Sequence, residues 1–292
     1  MKKVEKICVV GAGTMGRGIA QVCVQVGKLD LQLVDVELEK VKEAINLIRR
    51  NLELHFVQKG RLTQEEVEQA IKRIHGTNDL QEAAHDADYV IEAVFENEEI
   101  KRDVFRKLDE LLPPEAIIAS NTSVLSITRL AAATKRPDRC IGTHFAAPVP
   151  RIRLFEVIRG LLTSDETVEI TMELGRRIGK PALLCKDTPG FLANRMLIAL
   201  YRVAIELVAE GNKPEDVDRS LRDAVGWHVG PLQIMDNAGL EIALAATEAI
   251  YKDLGYDPAF RPPPLLRRMV DAGLLGRKKG RGFFVYDQKD QL

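Results

Sequence analysis

Gly11-Ala12-Gly13-Thr14-Met15-Gly16 follows directly on the apolar run Ile7 to Val10 and opens a stretch of helical spacing, and this placement constrains the chain more than any other segment. In that setting Gly11 makes a tight turn, Gly13 lets the backbone approach a pyrophosphate, and Gly16 brings helix and strand together. Ala12, Thr14 and Met15 complete the loop, and the helix amino terminus offers free amides to phosphate. Asp35 ends the next apolar run, 24 residues after Gly11, close to the roughly 20-residue offset of a carboxylate that holds an adenosine ribose. No arginine follows Asp35 to receive a 2′-phosphate, so the expected cofactor is NAD rather than NADP. An ordinary tight turn and an FAD site are the alternatives.

Downstream, short β-branched runs alternate with helical stretches: Leu31 to Val36, Tyr89 to Val94, Ile117 to Ser120, Cys140 to Phe145, Leu154 to Ile158 and Ala182 to Cys185. The alternation predicts βαβ units feeding a parallel sheet, an α/β domain of the Rossmann-type, doubly wound class. One crossover is too long for that pattern, because about forty residues of helical spacing separate Asp35 from Gly76, and an inserted helical pair is expected over about 37–75. Gly60 marks its turn, Thr63-Gln64-Glu65-Glu66 reads as a capping box, and Gly76 is expected to close the second helix. Arg49, Arg50, Lys59 and Arg61 crowd its tip, as a solvated helix end or a seat for an anionic ligand. After Asp187-Thr188-Pro189-Gly190 the apolar residues recur at helical spacing, which divides the chain into 1–187 and an all-helical 188–292. There the helix Met196 to Ala209 is expected to bury Leu197, Leu200, Val203, Ala204, Leu207 and Val208, and Asn212 and Pro214 to cap and open the next.

With 292 residues, 46% of them hydrophobic and 29% charged, the chain can build two globular cores. Its 42 Lys plus Arg against 43 Asp plus Glu leave a net charge of −1, with no basic excess to neutralise a nucleic acid. Cys8, Cys23, Cys140 and Cys185 form no C-x-x-C pair and the five histidines show no metal-ligand spacing, so a reducing compartment and no metal site are expected. Met1-Lys2-Lys3-Val4-Glu5-Lys6 leads into a strand rather than a signal sequence, and no run approaches the roughly 20 apolar residues of a membrane span. The expectation is a cytoplasmic protein with no membrane partner.

Ligands of such sheets bind beyond the carboxyl ends of the strands, and three polar clusters fall there. They are Glu96-Asn97 with Lys101 following, Ser120-Asn121-Thr122-Ser123, and Thr143-His144. Each alone could be a helix cap, but together they converge on one edge. His144 is the one histidine expected at that edge, and reversible hydride transfer at a carbinol needs a group that takes and returns a proton near neutral pH. The alternative is a histidine with a purely structural role. Glu156 lies on the next apolar run, where a turn at Pro148-Val149-Pro150 would return it beside His144 to orient the imidazole; otherwise it faces solvent. His55, His75, His85 and His228 read as surface residues. Asn194 is expected in the first turn of the first helix of the second domain, facing a cleft or simply occupying a helix face.

With these motifs in place, Val9-Val10-Gly11-Ala12-Gly13-Thr14-Met15-Gly16, Ala119-Ser120-Asn121-Thr122-Ser123, Asp187-Thr188-Pro189-Gly190-Phe191, Leu275-Gly276-Arg277-Lys278 and Gly282-Phe283, nearly the whole chain resembles the short-chain L-3-hydroxyacyl-CoA dehydrogenase family. Within it the resemblance is to the bacterial 3-hydroxybutyryl-CoA dehydrogenases. It implies a two-domain enzyme of lipid metabolism that oxidises an L-3-hydroxyacyl-CoA to the 3-ketoacyl-CoA with NAD and forms a homodimer through its helical domain. In that reading His144 is the acid/base, Glu156 its partner, and Ser123 and Asn194 hydrogen-bond the reacting C3 oxygen or the thioester region. Asp35, Glu96, Lys101, Ser123 and Lys278 match cofactor contacts, and Asn51 and Lys59 are the nearest counterparts of contacts to coenzyme A. One departure stands out: where the family reads His-Phe-Phe-Asn-Pro or a close variant, this chain has His144-Phe145-Ala146-Ala147-Pro148. The missing ring and amide leave either a larger pocket or a looser seat for the nicotinamide. Two other readings stay in view: a dehydrogenase of a free hydroxy acid, gulonate- or carnitine-like, which the basic tip argues against, and an NAD-binding relative without turnover.

Overall fold

The computed structural model describes residues 3–287, and the chain forms two compact units, Met1–Thr188 and Pro189–Leu292. The first unit is built on eight strands: β1 (Lys6–Val10), β2 (Asp30–Val34), β3 (Ile74–Thr77), β4 (Tyr89–Glu92), β5 (Ile117–Ser120), β6 (Cys140–Phe145), β7 (Phe155–Arg159) and β8 (Leu183–Lys186). They form one sheet in the order β3-β2-β1-β4-β5-β6-β7-β8. The order reverses between β1 and β4, so the glycine-rich loop after β1 and the end of β4 flank the crevice where the two halves of the sheet part. Ile7, Val9, Leu31, Leu33 and Ile91 enter one apolar cluster, and Cys8, Val10, Val34, Val90 and Ile118 enter another. Strands buried on both faces require this two-residue alternation between cores.

The helices of this unit are α1 (Thr14–Gln25), α2 (Leu38–Leu52), α3 (Gln64–Lys72), α4 (Leu80–Ala84), α5 (Glu98–Leu111), α6 (Ile127–Ala131) and α7 (Asp165–Arg177). The expected inserted pair is α2 and α3. Gly60 turns between them with a φ of 65°, and the capping box forms: the Thr63 hydroxyl accepts from the Glu66 amide at 3.2 Å and the Glu66 carboxylate accepts from the Thr63 amide at 2.8 Å. Two expectations need correction. Gly76 does not close α3; it lies in β3, an edge strand paired with β2, where α2 passes so close that a Cβ would come 2.7 Å from Val41 Cγ1. A four-residue strand with an exposed centre carries too little alternation to be read. The sheet is also not wholly parallel, because β6 and β7 pair antiparallel. The Arg151 and Ile152 amides donate to the Pro148 carbonyl at 2.9 and 3.0 Å, folding the chain back at once. An antiparallel return needs no crossover helix.

The second unit contains α8 (Ala193–Ala209), α9 (Pro214–Val225), α10 (Pro231–Ala238), α11 (Leu240–Asp253) and α12 (Pro264–Asp271), packed around Ala204, Ile205, Leu232, Met235, Leu240 and Leu244. Of the six residues expected on the buried face of α8, only Ala204 is buried; Ile198 and Ile205 join it, while Val203 and Leu207 are exposed. The helix is apolar on almost every side, so spacing cannot select a face. Lys213 rather than Asn212 caps α9, with Pro214 in its first turn; the Asn212 amide donates to the Leu207 carbonyl at 2.8 Å and closes α8 instead. Among the described residues no helix is long and apolar enough to cross a membrane.

Candidate active site

The loop after β1 has the geometry its glycines announce. Gly11 takes a φ of 105°, and a Cβ there would lie 2.6 Å from the Ala93 carbonyl oxygen. A Cβ on Gly16 would collide with the Gly11 carbonyl, whereas the space beside Gly13 is open. Gly13 is the cap of α1, with no side chain bonded to the helix amino terminus and no acid in the first turn. Asp35 Oδ2 accepts from the Ala12 amide at 2.8 Å, which fixes its carboxylate at the rim of the same loop. This cradle fits NAD: uncapped amides face the place of a pyrophosphate, and a fixed carboxylate suits ribose hydroxyls.

At the far side of the carboxyl edge, the antiparallel register sets His144 directly opposite Glu156. His144 Nδ1 and Glu156 Oε2 are 2.6 Å apart, both side chains buried. A carboxylate accepting from Nδ1–H puts the neutral ring's lone pair on Nε2, and Ser123 Oγ stands 3.2 Å from Nε2. Asn121, which the sequence showed only as part of a polar cluster, accepts from the Phe145 amide at 3.0 Å and ties the end of β6 to the end of β5. The segment Ser120 to Ser123 caps no helix; Ser126 does, accepting from the Arg129 amide at 3.3 Å.

The first cluster is organised around a residue that sequence reading passed over. Glu92, fully buried at the end of β4, accepts from Lys101 Nζ, the Ser120 hydroxyl and the Val94 amide, each at 2.7 Å. Burial pushes its carboxyl upward, and the Lys101 ammonium, the serine hydroxyl and the amide pull it back. A glutamate inside the apolar run Tyr89 to Val94 was the available signal. Lys101 is 1% exposed, and its Nζ also lies 3.3 Å from Glu96 Oε2 and donates to the Val94 carbonyl at 3.2 Å. Its ammonium is therefore turned into the protein. Glu96 is exposed, and its Oε1 accepts from the Thr122 hydroxyl and from the Ser123 amide at 2.9 Å.

The basic tip of α2 and α3 opens on a groove of about 940 Å³. Arg17, Arg50, Lys59, Arg61 and Arg151 line it together with His55, and no acidic residue does. Leu47, Leu54, Phe56, Pro148 and Pro150 supply apolar wall. Asn51 is on the lining too, with its amide nitrogen bonded to Gln21 Oε1 at 2.9 Å. Arg49, expected in the same tip, instead pairs with Glu68. Arg17 and Arg151 join the groove from separate parts of the sequence, which is why spacing did not connect them. The β6–β7 turn forms one wall, and the buried Lys180 holds that turn by donating to the Val149 and Ile152 carbonyls at 2.5 Å each. Burial, then the nearby Arg153, pushes the Lys180 ammonium below its ordinary value.

Comparison with known proteins decides the family. Residues 6–188 match the 3-hydroxyacyl-CoA dehydrogenase NAD binding domain and residues 190–286 the C-terminal domain of the same enzymes. The chain belongs to the 3-hydroxyacyl-CoA dehydrogenase family. It is 46% identical over 283 residues to a probable 3-hydroxybutyryl-CoA dehydrogenase of Deinococcus radiodurans, spanning 96% of this chain and 100% of that protein. It is 42% identical over 284 residues to the 3-hydroxybutyryl-CoA dehydrogenase of Bradyrhizobium diazoefficiens, spanning 97% of this chain and 96% of the relative. The crystal structure of (S)-3-hydroxybutyryl-CoA dehydrogenase from Ralstonia eutropha superposes with a TM-score of 0.93 at 40% identity, covering 98% of this chain and 100% of that one.

Two of the site residues expected from the resemblance lie in the second unit. Asn194 is in the first turn of α8, and Lys278 sits in a short turn where it pairs with Glu241. The segment carrying Lys278 is anchored by Asp236, buried in α10, which accepts from the Phe283 and Phe284 amides and the Tyr286 hydroxyl, each at 3.0 Å. Nothing in the sequence pattern distinguished Asp236 from a surface aspartate on a helix.

Proposed function

We propose that this member of the 3-hydroxyacyl-CoA dehydrogenase family interconverts L-3-hydroxyacyl-CoA and 3-ketoacyl-CoA with NAD, with 3-hydroxybutyryl-CoA as its short-chain substrate. The observation that carries the reading is the pairing, within one unit, of the His144–Glu156–Ser123 array with a wide basic groove, the two joined by the six residues Phe145 to Pro150. Five cations with apolar walls between them suit the phosphates, adenine and pantetheine of coenzyme A, with Lys59 and Asn51 among the contacts. A free hydroxy acid would have no use for that surface.

In the oxidative direction the C3–H bond breaks as the C3 carbonyl forms, and bound NAD supplies the hydride acceptor. His144 Nε2 takes the proton of the C3 hydroxyl, so the balance is one hydride to the cofactor and one proton to the protein. Glu156 holds the ring in the tautomer that can do so and stabilises the imidazolium that results. The Ser123 hydroxyl donates to the C3 oxygen and orients it. The backbone of Gly11 to Gly16 and the Asp35 carboxylate hold the cofactor. The substrate role of Asn194 and the cofactor role of Lys278 rest on the family resemblance alone. A second copy of the chain is the proposed partner: Leu192, Met196, Val203 and Leu207 recur at helical spacing along α8 and its start, and all four are exposed. Light scattering of the purified protein should give a dimer, and Val203→Glu a monomer.

The test is NADH oxidation with acetoacetyl-CoA, run beside NADPH and beside free acetoacetate. Turnover confined to the thioester with NADH is the expected result. Equal turnover of free acetoacetate would remove coenzyme A from the recognition and overturn the assignment of the groove.

A further inference from the structure

The β6–β7 turn that walls the basic groove cannot hold itself. Pro148 and Pro150 have no N–H to give, and the hydrogen bonds inside the turn, from the Arg151 and Ile152 amides, both end on the Pro148 carbonyl. The Val149 and Ile152 carbonyls are left to an outside donor, and both accept from Lys180 Nζ at 2.5 Å. They bracket Pro150 and Arg151, which line the groove, and Arg151 Nη2 stands 3.4 Å from His55 Nε2 on the segment after α2. The donor has a rigid mount: the Lys180 amide closes α7 on the Gly175 carbonyl at 2.8 Å, and Gly179 just before it takes a φ of 72°. On the other side Val149 packs against α1, where a Cβ on Gly18 would lie 2.9 Å from Val149 Cβ. Lys180 itself is 5% exposed and does not line the groove, so its ammonium serves the wall and not a ligand.

We propose that Lys180 is a positioning residue for thioester recognition: its buried ammonium pins the β6–β7 turn to the end of α7 and so fixes Arg151 and the proline wall against which coenzyme A lies. The inference rests on the functional reading of the groove above. The turn lies beyond the last β6–β7 pair, Phe145 with Phe155, so releasing it leaves the register of His144 with Glu156 intact. Loss of Lys180 therefore weakens the hold on coenzyme A in ground state and transition state alike, which raises KM and spares kcat.

Steady-state kinetics of the full-length enzyme test this with two substrates, acetoacetyl-CoA and S-acetoacetyl-N-acetylcysteamine, which carries the same reacting group without the nucleotide. Lys180→Met should raise KM for acetoacetyl-CoA about tenfold with kcat within about twofold of the parent, and should leave kcat/KM for the truncated thioester within about twofold. Arg151→Ala should raise the same KM by a similar factor, and the double variant should lie within about threefold of Arg151→Ala, because the lysine acts through the wall that carries the arginine. Equal losses on both thioesters would make Lys180 a general structural residue, and multiplying losses in the double variant would separate it from Arg151; either result overturns the proposal. Should Lys180→Met not fold, Lys180→Gln keeps N–H donors on a side chain one bond shorter and should give the same change in KM alone, about threefold. Amide hydrogen exchange gives an arm independent of turnover: Arg151 and Ile152 should exchange at least about tenfold faster in either variant. Unchanged protection overturns the clamp, whereas a parent enzyme with the same KM for both thioesters overturns the coenzyme A assignment of the groove and leaves the clamp to be decided by exchange.

Discussion

Two carboxylates of the same sheet, Glu156 on β7 and Glu92 on β4, are both fully buried and both held close to a basic nitrogen, at 2.6 Å from His144 and 2.7 Å from Lys101. Each pair bears the desolvation of its charged members, and each recovers it through short hydrogen bonds. They differ in where the base points. Lys101 donates to Glu92 and to the Val94 carbonyl, so its pair is turned into the protein. His144 uses one ring nitrogen on Glu156 and brings the other to the half-buried Ser123, so its pair can pass a proton to something that arrives from outside. Burial and a close partner therefore do not by themselves mark chemistry; the titratable atom that faces a ligand site does.

The sharpest way to break this contrast is to remove the ring that faces outward. His144→Gln should lower kcat by about 10³- to 10⁴-fold, the scale of a lost general base, with NADH affinity nearly unchanged in a fluorescence titration. An unaffected rate would make the two pairs equivalent and put the proton transfer elsewhere. Glu156→Gln keeps an acceptor for Nδ1–H but gives up the charge that stabilises the imidazolium, and should cost about 10- to 100-fold in kcat. The two pairs should then separate on stability. Lys101→Met strands a buried carboxylate and should lose about 3 kcal/mol, roughly 10 °C in a thermal melt. Glu92→Gln combined with Lys101→Met strands no charge and should recover most of that loss. If the double variant melts as low as the single one, the pair is not the closed unit described here.

The contrast also explains what could be read in advance. Gly11 to Gly16 and Asp35 were legible because a tight turn and a phosphate approach demand particular residues at particular offsets. The His144–Glu156 pair was legible in part: proline-rich residues between two apolar runs indicated a return, but an antiparallel return inside a mostly parallel sheet is a property of pairing, not of either strand. Glu92 and Lys101 were not connected, because their contact spans a loop and a helical turn and neither periodicity nor motif links them. The groove shows the same limit, since Arg17 and Arg151 reach it from α1 and the β6–β7 turn, far from the tip that announced it. β3 was lost because four residues ending beside a glycine look like a helix terminus, and the face of α8 because an almost uniformly apolar helix has no preferred direction.

Asp236 in the second unit extends the comparison to a buried carboxylate whose hydrogen-bond partners among the described residues include no cation. Its partners are two backbone amides and the Tyr286 hydroxyl, and burial pushes its carboxyl above the ordinary 3.8, with Asp218 adding to the rise. For an acid with a raised folded pKa the sign is opposite to that of an ion-paired carboxylate: the folded state holds the proton more tightly, so the contribution is complete below the unfolded value and fades as pH climbs through the folded one. Asp236→Asn removes this dependence while keeping one acceptor. The melting advantage of the parent over Asp236→Asn should therefore be largest near about pH 4, of order 1 kcal/mol, and shrink toward about pH 7. An advantage that grows with pH would mean that the amides of Phe283 and Phe284 outweigh burial and hold Asp236 as a stabilised anion. It would then behave as paired carboxylates do, held by amides and a hydroxyl.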